Sequence, residues 1–386
     1  MTTAARPLNK MIPVARPCFG QEEEHAVLEA LRSGWVSQGP KVGEFEKRFA
    51  EYVGAKFAVA VSSCTTALHL AMIVSEIKKS DEVLCPSYSF IATANSIRYV
   101  AAKPVFVDID PITFNLDPNR IEEAITPRTR AILVVHQIGL PAAMDEINAI
   151  AARRNLLVIE DAACAIGSQY RGQRIGRPHS PVACFSFHPR KILSTGEGGM
   201  ITTNDELVAT RLRTLRQHAM TVSDLARHAS SKVVIESYAE VGYNYRMTDL
   251  QAALGLVQLQ RLDGFIARRR MLAERYTREL SRFAWLLPPQ ETAECRHNFQ
   301  SYAVRVAQGA PVNRDDLMQK LLDRGISTRR GIMASHREPP YVAGNWDSRL
   351  PETNRATDET IILPLFHQLT EEEQDYILES VQEVAR

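Results

Sequence analysis

The chain has 386 residues, 45% of them hydrophobic, and a formal net charge of +1. That length can bury a large core and predicts two domains, while the balanced charge argues against a nucleic-acid or acidic-membrane partner. No apolar run approaches the ~18–20 residues of a membrane helix, residues 1–17 lack a signal-peptide core, and the six scattered cysteines form no C-x-x-C pair, so we expect a soluble, cytoplasmic protein with reduced thiols.

From Gln21 the pattern is helical, breaks between Gly34 and Pro40, and resumes through Phe45, Phe49 and Tyr52. Strands are then expected at 57–62, 82–86, 104–109, 131–136 and 156–161, alternating with helices at 65–77, from about Ala92, at 118–125 and at 145–154. The alternation predicts an α/β fold whose sheet is largely parallel and covered by helices, with ligands beyond the carboxyl ends of the strands. An alternating apolar run at 182–187 predicts a further strand. It breaks at Pro189, delivers Lys191 into a loop rich in Ser, Thr and Gly, and is followed by a strand at 200–203. The stretch from Met247 to Phe283 reads as one long helix with a place to bend at Gly264, and its basic run Arg268-Arg269-Arg270 as a solvated face. A strand at 301–306, a helix at 314–324, a loop-rich stretch at 331–351 and a last helix from Glu371 follow. We expect a large domain over 1–264 and a smaller one over 265–386.

Four features fall at predicted strand ends. Ser62-Ser63-Cys64-Thr65-Thr66 opens a helix, where free backbone N–H groups and hydroxyls suit a phosphate as well as a cap. Pro86-Ser87-Tyr88-Ser89-Phe90 brings two aromatics, either of which could stack on a flat ring or fill the core. Glu160-Asp161 ends a strand, and because neighbours on a strand face opposite sides, one of the two points to the ligand edge. Ser186 and Lys191 complete the set, and a lysine amine is a nucleophile towards carbonyls through Schiff bases. Pyridoxal phosphate (PLP) needs a lysine for its aldehyde, a carboxylate for its ring nitrogen, a phosphate cup and an aromatic wall. No G-x-G-x-x-G or P-loop follows a strand, H-E-x-x-H spacing is missing, and Ser75-Glu76-Ile77-Lys78 matches S-x-x-K without that motif's partners. Metal, dinucleotide and ATP chemistry are therefore not expected.

The chain resembles the PLP-dependent nucleotide-sugar aminotransferases (DegT/DnrJ/StrS type). The likeness lies in Gly34-Trp35-Val36-Ser37-Gln38-Gly39-Pro40, the segment 62–69, Pro104-Val105-Phe106-Val107-Asp108, Glu160-Asp161-Ala162-Ala163, the Lys191 loop with Gly196-Glu197-Gly198-Gly199, and Gly242-Tyr243-Asn244-Tyr245-Arg246-Met247-Thr248. The resemblance implies the fold type I of PLP-dependent transferases, with a mostly parallel seven-stranded sheet in the large domain and a smaller C-terminal α+β domain. It also implies that Lys191 forms the Schiff base and shuttles a proton, that Asp161 pairs with the ring nitrogen, and that Thr65, Thr66 and Ser186 hold the phosphate. Phe90 would stack on the ring, and Asn244 would reach the phosphate held by a second subunit of a homodimer. By the same resemblance Cys164 would stand near the cofactor's phenolic oxygen, where family members commonly carry Gln or His, and a thiol is a weak hydrogen-bond partner there. The implied reaction moves nitrogen from L-glutamate to a keto carbon of a nucleotide-linked sugar. Amination of an inosose, a PLP-dependent sugar dehydration or a non-catalytic PLP-binding regulator are the alternatives. His188 is a candidate proton relay, sugar contact or packed ring, and Arg329, Arg330, His336 and Arg337 a candidate diphosphate site or a set of exposed loop charges.

Overall fold

The computed structural model describes residues 11–177, 179–222, 227, 230–233 and 235–384. The main strands are β1 (Phe57–Val61), β2 (Glu82–Pro86), β3 (Lys103–Val107), β4 (Thr129–Val135) and β5 (Leu157–Asp161). After the two-residue strands β6 (Gln169–Tyr170) and β7 (Gln173–Arg174) come β8 (Val182–Ser186) and β9 (Gly199–Thr203). Seven of these form one sheet in the order β1-β9-β8-β5-β4-β2-β3. β8, β5, β4, β2 and β3 run parallel, and β9 lies antiparallel to both β8 and β1. The inner strands are buried over most of their length and mainly apolar because helices cover both faces. Pro104 is tolerated in β3 because that strand is the sheet edge, where a missing N–H costs little pairing.

The reversed strand positions the site. Gly199, first in β9, pairs with Ser186 at the end of β8 on one side and with Val61 at the end of β1 on the other. The loop carrying Lys191 and the turn Ser62–Thr66 therefore flank one another.

Helices α1 (Gln21–Arg32) and α2 (Pro40–Val53) precede the sheet, and α3 (Cys64–Val74) and α4 (Ala92–Tyr99) follow β1 and β2. The start of α2 is fixed by Asp249, a buried carboxylate that accepts from the backbone N–H of Gly39 (2.8 Å), Lys41 (3.0 Å) and Val42 (3.0 Å). A side chain at Gly39 would meet Asp249 Oδ2 at 2.7 Å, which accounts for the glycine.

The helix Asp249–Leu280 begins with a capping box between Thr248 and Gln251 and runs unbroken through Gly264. Leu259, Leu262, Phe265 and Ile266 pack on the large core, whereas Leu272, Ala273, Tyr276 and Leu280 belong to a second core. The boundary expected at 264–265 thus falls inside one helix. The second core lies against a four-stranded sheet of β10 (Leu286–Leu287), β12 (Tyr302–Val306), β14 (Thr360–Leu363) and β13 (Arg329–Arg330), while β11 (Cys295–Arg296) pairs with β6. Ile12 joins this smaller body through a bridge to Ile326.

The basic run on the long helix is not a solvated face. Arg269 is 2% exposed, and its Nη1 donates to the carbonyls of Phe299 (3.1 Å), Gln300 (3.1 Å) and Leu365 (3.0 Å). Burial lowers its pKa to about 10. Arg268 donates to the Leu369 carbonyl and Arg270 pairs with Glu291. A helix-period pattern sees only that three cations are adjacent; here the middle one turns inward because three carbonyls meet it. Arg269→Met removes those donors from buried acceptors and is expected to destabilise the protein by about 2–3 kcal/mol, read as a lower denaturation midpoint at unchanged slope.

Candidate active site

Two neighbouring strands end in chemistry. β5 ends with Glu160 and Asp161, β8 with Ser186, and Asp161 lies opposite Cys184 in the register. The alternation left open which acid faces the ligand edge, and the structure separates them. Glu160 is fully buried and accepts from His136 Nε2 (2.8 Å) and from Ser180 Oγ (2.6 Å). The other ring nitrogen of His136 accepts from Ala142 N (3.1 Å), which puts the proton on Nε2. Asp161 turns to the opposite face. There its Oδ2 accepts from Thr93 Oγ1 (2.8 Å) and its Oδ1 from Ala163 N (3.2 Å). Burial raises its pKa, and the Thr93 and Ala163 hydrogen bonds and the Lys191 charge only partly offset this. Thr93 contributes from α4 without having stood out in the sequence.

Lys191 sits in a loop closed on itself. Phe187 N donates to Gly198 O (2.9 Å), and Phe187 O accepts from Thr195 N (3.0 Å) and Ser194 Oγ (3.1 Å). Gln300 clamps the peptides on either side of Lys191: its Oε1 accepts from Ile192 N (3.1 Å) and its Nε2 donates to Arg190 O (2.6 Å). Gln300 lies more than a hundred positions away and matches no motif, so nothing local marked it. The amine Nζ is 3.0 Å from Cys164 Sγ. Burial disfavours the ammonium, but Cys164, then Cys64 and Asp161, outweigh it and hold the Lys191 pKa above the usual lysine value.

At the start of α3, Ser63 Oγ accepts from Thr66 N (3.2 Å), while Thr66 Oγ1 accepts from Ser63 N (3.1 Å) and donates to Ser63 O (2.8 Å). The Thr66 hydroxyl is therefore committed to a capping box. The N–H groups of Cys64 and Thr65 have no acceptor among the described residues, and the Thr65 hydroxyl stands beside them. Gly199 backs this turn so closely that a Cβ there would lie 2.5 Å from the Ser63 carbonyl. Ser186, its partner across the sheet, contributes its hydroxyl on the same side.

Of the two aromatics after β2, Tyr88 is fully buried and accepts from Ile332 N (3.0 Å), so it belongs to the core. Phe90 is 61% exposed. His188 accepts from Arg190 N at its Nδ1 (3.2 Å), and burial, followed by the Arg190 charge, lowers its pKa, which makes it a neutral ring near the site. Asn244 forms a bridge with Gln217 and accepts from Arg246 Nε (3.3 Å).

The basic set of the smaller body is not one cluster. His336 is 3% exposed, wedged between Ser87 Oγ (2.7 Å) and Asn354 Oδ1 (3.1 Å), and burial lowers its pKa. Arg337 pairs with Asp358, and Arg330 lies 3.8 Å from Glu338. Arg329 differs. It has no carboxylate partner among the described residues, and after burial its charge is the main influence lowering the pKa of Arg190, next to Lys191.

A lysine amine within electrostatic reach of a buried carboxylate, an exposed aromatic and a cup of free N–H groups are the kinds of group that PLP requires. The model of the DegT/DnrJ/EryC1/StrS aminotransferase family matches residues 17–382. The chain belongs to this family. It is 42% identical over 375 residues to the GDP-perosamine synthase of Caulobacter vibrioides, covering 97% of this chain and 98% of the relative. It is 40% identical over 382 residues to the spore coat polysaccharide biosynthesis protein SpsC of Bacillus subtilis, covering 98% of each. Among solved structures, the PMP form of Spr1654 of Streptococcus pneumoniae superposes with a TM-score of 0.91 at 30% identity, over 97% of this chain and 99% of that one. The protein is a PLP-dependent sugar aminotransferase of the fold type I class.

The donor set of this aminotransferase fits its cofactor. The free N–H groups of Cys64 and Thr65 are a ready phosphate site at a helix N-terminus. Gly199→Ala would push its methyl into the Ser63–Cys64 peptide and disturb that cup. We expect PLP affinity to fall at least about tenfold (~1.4 kcal/mol), measured by titrating the cofactor into the PLP-free variant.

Proposed function

We propose that the protein transfers the amino group of L-glutamate to the keto carbon of a nucleotide-linked 4-keto-6-deoxy sugar, for a cell-surface polysaccharide or glycoconjugate. The observation that carries this reading is the pair formed by Arg190, next to Lys191 in the chain, and Arg329, whose charge acts on it, two guanidiniums without a carboxylate partner among the described residues. Arginine forks suit a diphosphate, and the family supplies the sugar. The 42% identity to a GDP-perosamine synthase supports an amino-sugar product.

Bound PLP supplies an electron sink next to the substrate nitrogen. In this reading Lys191 Nζ takes the proton from the donor's Cα and delivers a proton in the reverse sense to the sugar carbon. Asp161 holds the proton on the cofactor's ring nitrogen, and Thr65, Ser186 and the N–H groups of Cys64 and Thr65 hold the phosphate. Thr66 acts on that cup through its cap, Phe90 covers the ring, and Cys164 stands against the amine rather than serving as a strong polar contact.

We read the enzyme as a homodimer in which Asn244 of the partner subunit completes the phosphate site. The segment around Asn244 carries Val233, Ile235 and Val241 at 94%, 88% and 82% exposure, apolar surface that a second copy would cover. A cytoplasmic location fits six free thiols.

The test is to incubate the enzyme with PLP and L-glutamate against UDP-, GDP- and dTDP-linked keto sugars and to follow exchange of carbonyl oxygen for amine by mass spectrometry. Amination of an inosose alone, or loss of a hydroxyl without gain of nitrogen, would overturn the reading. Arg329→Ala is expected to raise KM for the accepted nucleotide sugar about tenfold and to leave KM for glutamate nearly unchanged.

A further inference from the structure

The contact between Cys164 and Lys191 does more than fill space. Among the six cysteines, Cys64, Cys85 and Cys184 are buried, and burial pushes the Cys64 and Cys184 thiols well up, which makes them inert. Cys18, Cys164 and Cys295 are partly exposed. The Cys18 sulfur faces a guanidinium at 3.9 Å and the Cys295 sulfur a backbone carbonyl at 3.5 Å. Cys164 touches an amine, at 3.0 Å.

The two partners are held at that distance by one short segment. Asn298 Nδ2 donates to the carbonyls of Cys164 (2.8 Å) and Ile166 (2.9 Å), fixing the backbone that carries the thiol. Gln300 brackets the backbone that carries Lys191, and Gln300 N donates to Asn298 Oδ1 (2.8 Å), so both clamps form one unit. Neither side chain has to travel for sulfur and nitrogen to react. A cationic amine beside a partly exposed thiol is also the setting in which cysteine oxidation is selective.

We propose that Cys164 and Lys191 form a modification site: hydrogen peroxide joins them through a covalent Sγ–Nζ bond whenever the amine is not occupied by the cofactor. In the first step the Cys164 sulfur attacks one peroxide oxygen, the O–O bond breaks, the sulfur becomes a sulfenic acid and one water leaves. In the second, the Lys191 ammonium first releases a proton to solvent, the freed amine attacks that sulfur, the S–O bond breaks, and the departing hydroxide takes a further proton from nitrogen as a second water. The sum is thiol, amine and one peroxide giving the bridge and two waters, with sulfur oxidised and peroxide reduced. Two equivalents of a small thiol reverse it, regenerating both side chains and yielding one disulfide. The bridge consumes the amine and stores the enzyme in an inactive, recoverable form. This consequence for activity rests on reading Lys191 as the catalytic amine, but the bond itself does not.

The test is peptide mass spectrometry on the full chain after hydrogen peroxide. Cofactor-free protein is expected to yield the Cys164 and Lys191 peptides joined with the loss of two hydrogens, and the joined species should disappear with dithiothreitol. Protein loaded with PLP and reduced with borohydride, which blocks the Lys191 amine permanently, should give none. Lys191→Ala should instead accumulate a Cys164 sulfenic acid that dimedone captures. Sulfinic or sulfonic Cys164 with Lys191 unmodified, or a bridge from Cys164 to another amine, would overturn the proposal. A bridge that forms in a protein without transaminase activity would keep the modification and sink the catalytic reading, so the two fail separately.

Discussion

Lys191→Ala is expected to lower transamination by at least about 10³-fold, because in the proposed mechanism one atom supplies both the nucleophile and the proton carrier. The loop leaves no substitute. Arg190 is adjacent but its guanidinium is a poor nucleophile, and His188, next nearest in the sequence, has its Nδ1 already used by Arg190 N, with burial lowering its pKa. The phosphate cup does not involve Lys191, so the variant should still take up PLP, more weakly and without a bond that borohydride can fix. Lys191→Arg keeps a cation beside Cys164 and Asp161 but lacks a nucleophilic amine. It should be as inactive as the alanine variant, which separates charge from chemistry. Small primary amines added to Lys191→Ala should restore part of the proton transfer. Turnover within tenfold of wild type in either variant would remove Lys191 from the mechanism.

The strand-and-helix alternation and the strand-end positions were legible because both are periodic in the sequence, and the reactive residues follow strands directly. What could not be read depends on contacts between distant segments. The period of a strand says that Glu160 and Asp161 face opposite sides, but only the neighbouring strand, which brings His136 against Glu160, decides which one faces Lys191. Hydroxyl spacing marked Thr65 and Thr66 alike, and the capping box then commits the Thr66 hydroxyl to Ser63. Arg269 looked solvated because its neighbours are charged, while its partners are carbonyls 30 to 96 positions away. The helix Pro351–Glu359 buries only Thr353, Ala356 and Thr357, too few apolar side chains to make a helical stripe. Asn298 and Gln300 illustrate the limit most clearly: two uncharged amides in a loop of the later sequence set the backbones of Cys164 and Lys191.

In the proposed mechanism Asp161 joins catalysis and stability with opposite signs. Its carboxyl is buried, and in the folded protein its pKa lies above the unfolded value. Protonated, below the unfolded carboxyl range, it contributes its full share of stability. As pH rises through the raised pKa, that contribution is lost, because the anion must form away from water. A cationic ring nitrogen would offset this cost in the loaded enzyme, so the destabilisation belongs to the PLP-free form. Asp161→Asn cannot ionise, and its amide can still meet the Ala163 N–H and the Thr93 hydroxyl, which also bonds Ser89 Oγ at 2.7 Å. At neutral pH the PLP-free Asn variant should therefore unfold at a higher temperature than PLP-free wild type, with the gap closing in acid. On the proposed assignment the same substitution removes the anion that would hold the ring nitrogen protonated, and turnover should fall about 10²–10³-fold, while the phosphate cup should retain the cofactor. A variant that is less active and also less stable without PLP would assign Asp161 a structural role. A variant of near-normal turnover would mean that no anion is needed at this position.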